Sequence, residues 1–181
     1  MYGIINKAIE ELVTANFGKE KWGLIVERSG IEFDFFISNE PYDDEITFKL
    51  ATAISDEMNM KIEDVLMVFG EWWIMKATKE KYSGLMESGG ANLKEFILNL
   101  PLFHNRVMLI YSKLSPPEFK VTNVTDDSLY LHYLSNRIGL QEFVRGLLQG
   151  LAKRFETNIS IELIQSRNEG HSHEIFKIIW L

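Results

Sequence analysis

The segment Tyr133-Leu134-Ser135-Asn136-Arg137 places a phenol, a hydroxyl and a guanidinium at every second position. It follows Leu129, Tyr130 and Leu131, which favour strands, so the chain is expected to enter it extended. Side chains two apart in an extended chain share a face, which aims all three groups into one space. Arginine forks onto carboxylate or phosphate, and both hydroxyls can donate to the same anion. The spacing predicts an anion cradle and leaves the anion unnamed.

His104, in Leu102-Phe103-His104-Asn105-Arg106-Val107-Met108, is the second group with chemical potential. On a helix it shares a face with Val107, Met108 and Tyr111. An imidazole among such neighbours is either a core histidine bonded to a carbonyl or a ligand in an apolar pocket. A haem iron suits one imidazole with apolar walls and no second ligand nearby. His132 should point opposite to Tyr133. His171 and His173 flank Ser172 in a Gly-containing turn with no third ligand apparent, a pattern that is usually solvated. No Gly-x-Gly-x-x-Gly, Walker A loop or Gly-x-Ser-x-Gly elbow occurs, so the familiar enzyme signatures are missing.

The elements that must position these groups divide along the chain. Ile5, Ala8, Ile9, Leu12 and Val13 form one face of an opening helix that Gly18 can terminate. Asp43, Asp44 and Glu45 form the acidic entrance to a helix carrying Ile46, Leu50 and Ile54. Ile62, Val65, Leu66, Phe69 and Trp73 make another apolar stripe, with Trp72 beside it. Leu93, Phe96 and Ile97 form a shorter patch, and Pro101 is read as the first turn of a further helix running to Lys113. After Pro116-Pro117 the period becomes alternating: strands are expected from Phe119 to Val124, Ser128 to Leu134, Ile159 to Ile164 and Ile175 to Trp180. A helix carrying Leu140, Phe143, Val144, Leu147, Leu148 and Leu151 lies between the two pairs. Helices first and antiparallel hairpins later predict an α+β fold rather than alternating βαβ units.

At 181 residues the chain fits a single domain, 1–181. A net charge of −7 without a basic stripe argues against a nucleic-acid surface. The absence of cysteine excludes disulfides, thiolate metal sites and covalently attached c-type haem. Lys7, Glu10 and Glu11 interrupt any signal-like stretch, and no apolar run approaches a membrane span, so a cytoplasmic protein without a membrane partner is expected.

Taken together, the residues resemble an H-NOX domain, the haem–nitric oxide/oxygen-binding family related to the sensor domain of soluble guanylate cyclase. Met1-Tyr2-Gly3, Phe69-Gly70-Glu71, His104, Pro116-Pro117, Tyr133-x-Ser135-x-Arg137 and Gly146-Leu147-Leu148 fall in the family's order over essentially the whole chain. The resemblance implies an N-terminal helical subdomain (roughly 1–60, distal) packed on a proximal subdomain (61–181) of antiparallel sheet plus helices, with haem buried between them. It makes His104 the proximal ligand of haem b (iron protoporphyrin IX). Tyr133, Ser135 and Arg137 would hold its propionates, and Pro117 would press on the porphyrin as a rigid wedge. Ile5, Trp73, Phe143 and Leu147 fall at positions lining the distal side in the family.

Family members that hold oxygen stably use a distal tyrosine as a donor, and Leu140 to Leu148 contains none. The resemblance therefore implies a sensor, not an enzyme, that binds nitric oxide and CO while excluding O2. Nitric oxide would weaken the Fe–His104 bond, and the two subdomains would rotate about the Pro-Pro seam. The implied partner is a separate signalling protein such as a histidine kinase or cyclic-di-GMP enzyme. An oxygen sensor using Gln141 or Trp73 as an unrecognised donor, and a haem-free anion-binding module, are the competing readings.

Overall fold

The computed structural model describes residues 1–32, 35–78, 82–110, 113 and 115–181. Tyr111, expected on the face of His104, lies outside the described residues.

Helix α1 (Gly3–Ser29) buries Ala8, Ile9 and Val13, the stripe its spacing predicts. Gly18, with φ 85° and ψ 169°, breaks this span into two helical runs, so it ends the opening run as its sequence position suggests. The second run buries Ile25 completely. Helix α2 (Asp44–Met58) starts as expected, with the Asp43 carboxylate accepting from the Glu45 N–H and acidic groups filling the first turn. Helix α3 (Ile62–Trp72) continues into a π-helical turn, Trp73–Ala77, which the sequence did not announce. A short α4 (Ser83–Glu87) follows.

Helix α5 (Leu93–Ile110) is one continuous element with Pro101 inside it, correcting the expectation of two helices. An internal proline costs about 3 kcal/mol. The buried Leu93, Phe96, Ile97 and Leu100 gain roughly 1.5–3 kcal/mol each, enough to carry the helix through. Among the described residues, four strands complete the α+β fold: β1 (Glu118–Thr122), β2 (Ser128–Leu134), β3 (Ile159–Gln165) and β4 (Glu174–Trp180). They form an antiparallel sheet in the order β1-β2-β4-β3. Helix α6 (Gln141–Arg154) connects β2 to β3.

Strand β2 alternates, with Leu129, Leu131 and Tyr133 buried. Tyr133 stands opposite Phe119 on β1 and Glu174 on β4, and His132 faces the other side, as expected. The strand stops at Leu134, so Ser135 and Arg137 follow it rather than extend it.

Two apolar clusters share α3. One joins α1 and α2 to Val65 and Phe69, and the other joins the sheet, α5 and α6 to Leu66. Trp73 and Phe143 pack against both. Helices α3 and α6 meet backbone to backbone: a Cβ on Gly70 would lie 2.2 Å from the Phe143 carbonyl oxygen, and one on Gly146 would lie 2.0 Å from that of Met67. Only glycine fits this crossing.

Candidate functional site

The amphipathic faces converge on a cavity of about 270 Å³. Helix α5 contributes Leu100, Phe103, His104 and Val107, and the sheet contributes Phe119, Leu131 and Tyr133. Helix α1 supplies Ile4 and Ile5, the π-turn supplies Trp73 and Ile74, and α6 supplies Phe143 and Leu147. Pro116, Pro117 and Arg137 line it as well. Of the residues predicted to surround a ligand, Ile5, Trp73, His104, Pro117, Tyr133, Arg137, Phe143 and Leu147 all line this one space. Ser135 does not. It lines an adjoining polar groove that also has Asp44, Ser115, Pro116, Glu118, Arg137 and His173 in its walls.

His104 is placed by α5 and stacks on Phe119, with ring centroids 5.3 Å apart and planes at 24°. Its Nδ1 is buried with no hydrogen-bond partner, a condition shared among the described residues only by Nδ2 of Asn6. The Asn6 carbonyl, by contrast, accepts from the Thr47 hydroxyl at 2.6 Å. Burial pushes the His104 imidazole down to about 4, so near neutral pH it is uncharged and able to present a lone pair. The satisfied core histidine that the sequence left open, hydrogen-bonded to a carbonyl, is not what is found.

Tyr133 is buried, which pushes its phenol up, against a hydrogen bond with Ser135 and the nearby cations of Arg167 and Arg137. The Ser135 hydroxyl accepts from the Arg137 backbone N–H at 3.1 Å, which folds the segment into a turn. The three groups of the predicted cradle are therefore neighbours, gathered by a turn instead of by strand alternation. Arg137 donates through Nε to Asp44 at 2.8 Å and through Nη1 to the Ser115 carbonyl at 2.9 Å. Asp44 also takes the Met1 ammonium. Burial opposes its ionisation, but the Met1 ammonium and the Arg137 guanidinium outweigh this and hold the carboxyl below its ordinary value.

Four residues of this assembly, Arg167, Glu174, Tyr2 and Tyr82, were not singled out as site residues by the sequence reading. Arg167 donates to Glu174 at 2.9 and 3.0 Å, and to the carbonyls of Ser135 at 2.5 Å and Arg137 at 2.8 Å, bracing the turn from behind. The Arg167–Glu174 pair is largely buried, and Glu174 stands beside Tyr133 in register. Tyr2 and Tyr82 also line the cavity. His173, expected in solvent, is half-buried and bonded to His132 at 2.9 Å. No local pattern signals these contacts, because each joins residues that are distant in sequence or ordinary in composition. Among the described residues no helix is long and apolar enough to cross a membrane.

The Haem-NO-binding family model matches residues 2–163. Soluble guanylate cyclase gcy-32 of Caenorhabditis elegans is 30% identical over 177 residues, covering 96% of this chain and 26% of the relative. The rat (Rattus norvegicus) guanylate cyclase soluble subunit beta-2 is 32% identical over 109 residues, covering 60% of this chain and 16% of the relative. The chain thus spans about a quarter of the curated relatives that it matches along its length. An H-NOX protein from S. oneidensis in the Fe(II)NO state superposes with a TM-score of 0.91 at 22% identity, over 100% of this chain and 99% of that one. An unliganded Fe(II) H-NOX protein from K. algicida, in a mutant form, gives 0.89 at 26%, over 100% and 97%. The family match, the shared fold and the cavity that gathers the motif residues agree: this chain belongs to the Haem-NO-binding family of H-NOX domains, haem-based gas-sensor modules rather than catalytic ones.

Proposed function

We propose that the chain binds haem b in the cavity between α1, α5, α6 and the sheet, and senses nitric oxide through it. The supporting observation is the His104 imidazole, uncharged and with an orphaned Nδ1, in a mostly apolar cavity that Tyr133 and Arg137 also line. This donor set fits the group: one nitrogen ligand, apolar walls for a flat macrocycle, and a cation with a phenol for its acidic edge. When bound, the haem would supply a ferrous iron able to take nitric oxide and CO, held by His104.

In this reading His104 is the proximal ligand, and Tyr133, Ser135 and Arg137 hold the propionates. Arg137 can do so because two of its three nitrogens are fixed by Asp44 and Ser115, which orients the third. Pro117 presses on the macrocycle from the cavity wall. Ile5, Trp73, Phe143 and Leu147 form the gas side, where the Trp73 indole is the one N–H donor among these four and the rest are apolar, a setting that disfavours oxygen against nitric oxide. Within the single domain 1–181, movement of the helical part (roughly 1–60) against the remainder changes a surface read in trans by a signalling protein such as a histidine kinase or cyclic-di-GMP enzyme. The compartment proposed is the cytoplasm.

Ferrous absorption spectra of the purified chain without gas, in air and with nitric oxide test this. The expected result is a ferrous Soret band that shifts with nitric oxide and that in air gives way to the ferric spectrum without a stable oxygen-bound form. A stable oxygen-bound ferrous spectrum with slow oxidation overturns the selectivity. Absence of a Soret band after haem supplementation overturns the cofactor, and unchanged coordination in His104→Gly overturns the ligand.

A further inference from the structure

Outside the cavity, two imidazoles meet on the opposite face of the sheet. His132 Nδ1 lies 2.9 Å from His173 Nε2, and the rings stack at 5.2 Å between centroids with planes at 28°. Each outer nitrogen is held by a hydroxyl: His132 Nε2 by Thr122 at 2.8 Å, and His173 Nδ1 by Ser172 at 2.8 Å. Both rings are half-buried, so the facing nitrogens are ordered yet reachable.

We propose that His132 and His173 form a two-imidazole site for a borderline divalent metal ion, zinc or copper(II), completed by water. A hydroxyl on the second nitrogen is the arrangement that fixes the tautomer and ring orientation of a metal-ligating histidine. Both hydroxyls can donate or accept. The single proton between the rings therefore only has to move to the outer nitrogen, where the hydroxyl turns to accept it. Both facing nitrogens then present lone pairs, and the neutral pair releases no net proton. Metal–nitrogen distances of about 2.0–2.1 Å in tetrahedral geometry separate two ligand nitrogens by about 3.3 Å, so the rings must part by about 0.4 Å. Imidazole ligands favour this class of metal, with copper(II) binding more tightly than zinc.

The charges nearby are mixed. Lys120 stands opposite His132 across β1–β2, while Glu118 and Asp44 line the groove beside His173. His132 precedes Tyr133 and His173 precedes Glu174, and those two residues are paired in register. A bound ion therefore clips β2 to the residue that leads into β4, three residues before Ser135. The site does not depend on what fills the cavity.

The test is calorimetric titration of tag-free, haem-supplemented full chain with zinc chloride and with copper(II) chloride, alongside the copper electron paramagnetic resonance spectrum. One equivalent is expected, copper tighter than zinc, with hyperfine structure from two nitrogens. His132→Asn and His173→Asn should each weaken binding at least tenfold, and His171→Ala should not. The spectrum of the unsubstituted chain stands even if a variant misfolds. Stoichiometric binding that survives both substitutions, a copper spectrum without two imidazole nitrogens, loss confined to His171→Ala, or no binding at millimolar metal each overturns the proposal.

Discussion

Replacing Gly146 by alanine tests the claim that α3 and α6 touch through their backbones. The added Cβ would lie 2.0 Å from the Met67 carbonyl oxygen and 3.0 Å from the Glu71 nitrogen. Carbon and carbonyl oxygen pack no closer than about 3.2 Å, so the helices must separate by roughly 1 Å, since neither atom belongs to a side chain that can swing away. A gap of that size forfeits a quarter to a half of each contact across it. Overpacking a core costs about 1–3 kcal/mol and occasionally more. Alanine recovers at most about 1 kcal/mol of helix propensity. The net expectation is destabilisation by about 1–2 kcal/mol, read from the urea midpoint at unchanged slope. Gly23→Ala is the control: its Cβ meets nothing within 4 Å, so stability should stay level or rise by up to about 1 kcal/mol. A Gly146→Ala midpoint equivalent to less than about 0.5 kcal/mol of loss would refute the backbone contact. Phe143 and Leu147 flank the same crossing, so the variant should also shift the Soret band of supplemented protein.

Further outcomes are expected elsewhere in the molecule. Phe143→Tyr puts a phenol on the proposed gas side; one hydrogen bond is worth about 1 kcal/mol, so an oxygen-bound ferrous spectrum in air should persist several-fold longer. No change in its lifetime would remove Phe143 from that wall. Arg167→Ala strands the buried Glu174 carboxylate and two carbonyls, with an expected loss of about 3–5 kcal/mol in urea unfolding, and a loss under 1 kcal/mol counts against the brace. Asp44 has a folded carboxyl held below its ordinary 3.8, so its contribution is complete above that value and disappears as the pH falls through the folded one. Asp44→Asn should flatten that part of the acid-unfolding curve, by less than about 1 kcal/mol because the pair is more than a third exposed on the Asp44 side. An unaltered acid limb would show the pair to be idle.

Periodicity exposed most of the frame because burial acts on spacing. The stripe from Ile5 to Val13 and the alternation through Leu129, Leu131 and Tyr133 are one-dimensional records of which face is dry. Gly18 breaks its helix as a breaker should, whereas Pro101 misled because burial on either side carried the helix through it. The motif residues were legible as types, but their gathering was not. Ser135 and Arg137 reach Tyr133 through a turn after β2, and that turn is braced by Arg167, thirty residues further on. Arg137 and Asp44 are 93 residues apart, and His132 and His173 are 41 apart. Pairings across such distances leave no periodic trace.

The lone Nδ1 of His104 has an electronic consequence. A ligating imidazole usually donates its second N–H to a carbonyl or carboxylate, which makes the ring a stronger base toward its metal. His104 lacks that support and is oriented by the flat face of Phe119 instead. If the proposed haem is taken through Nε2, the imidazole would be a weak electron donor, kept in position by shape rather than by a directional bond at Nδ1. A contact made in that way would be readily reversed.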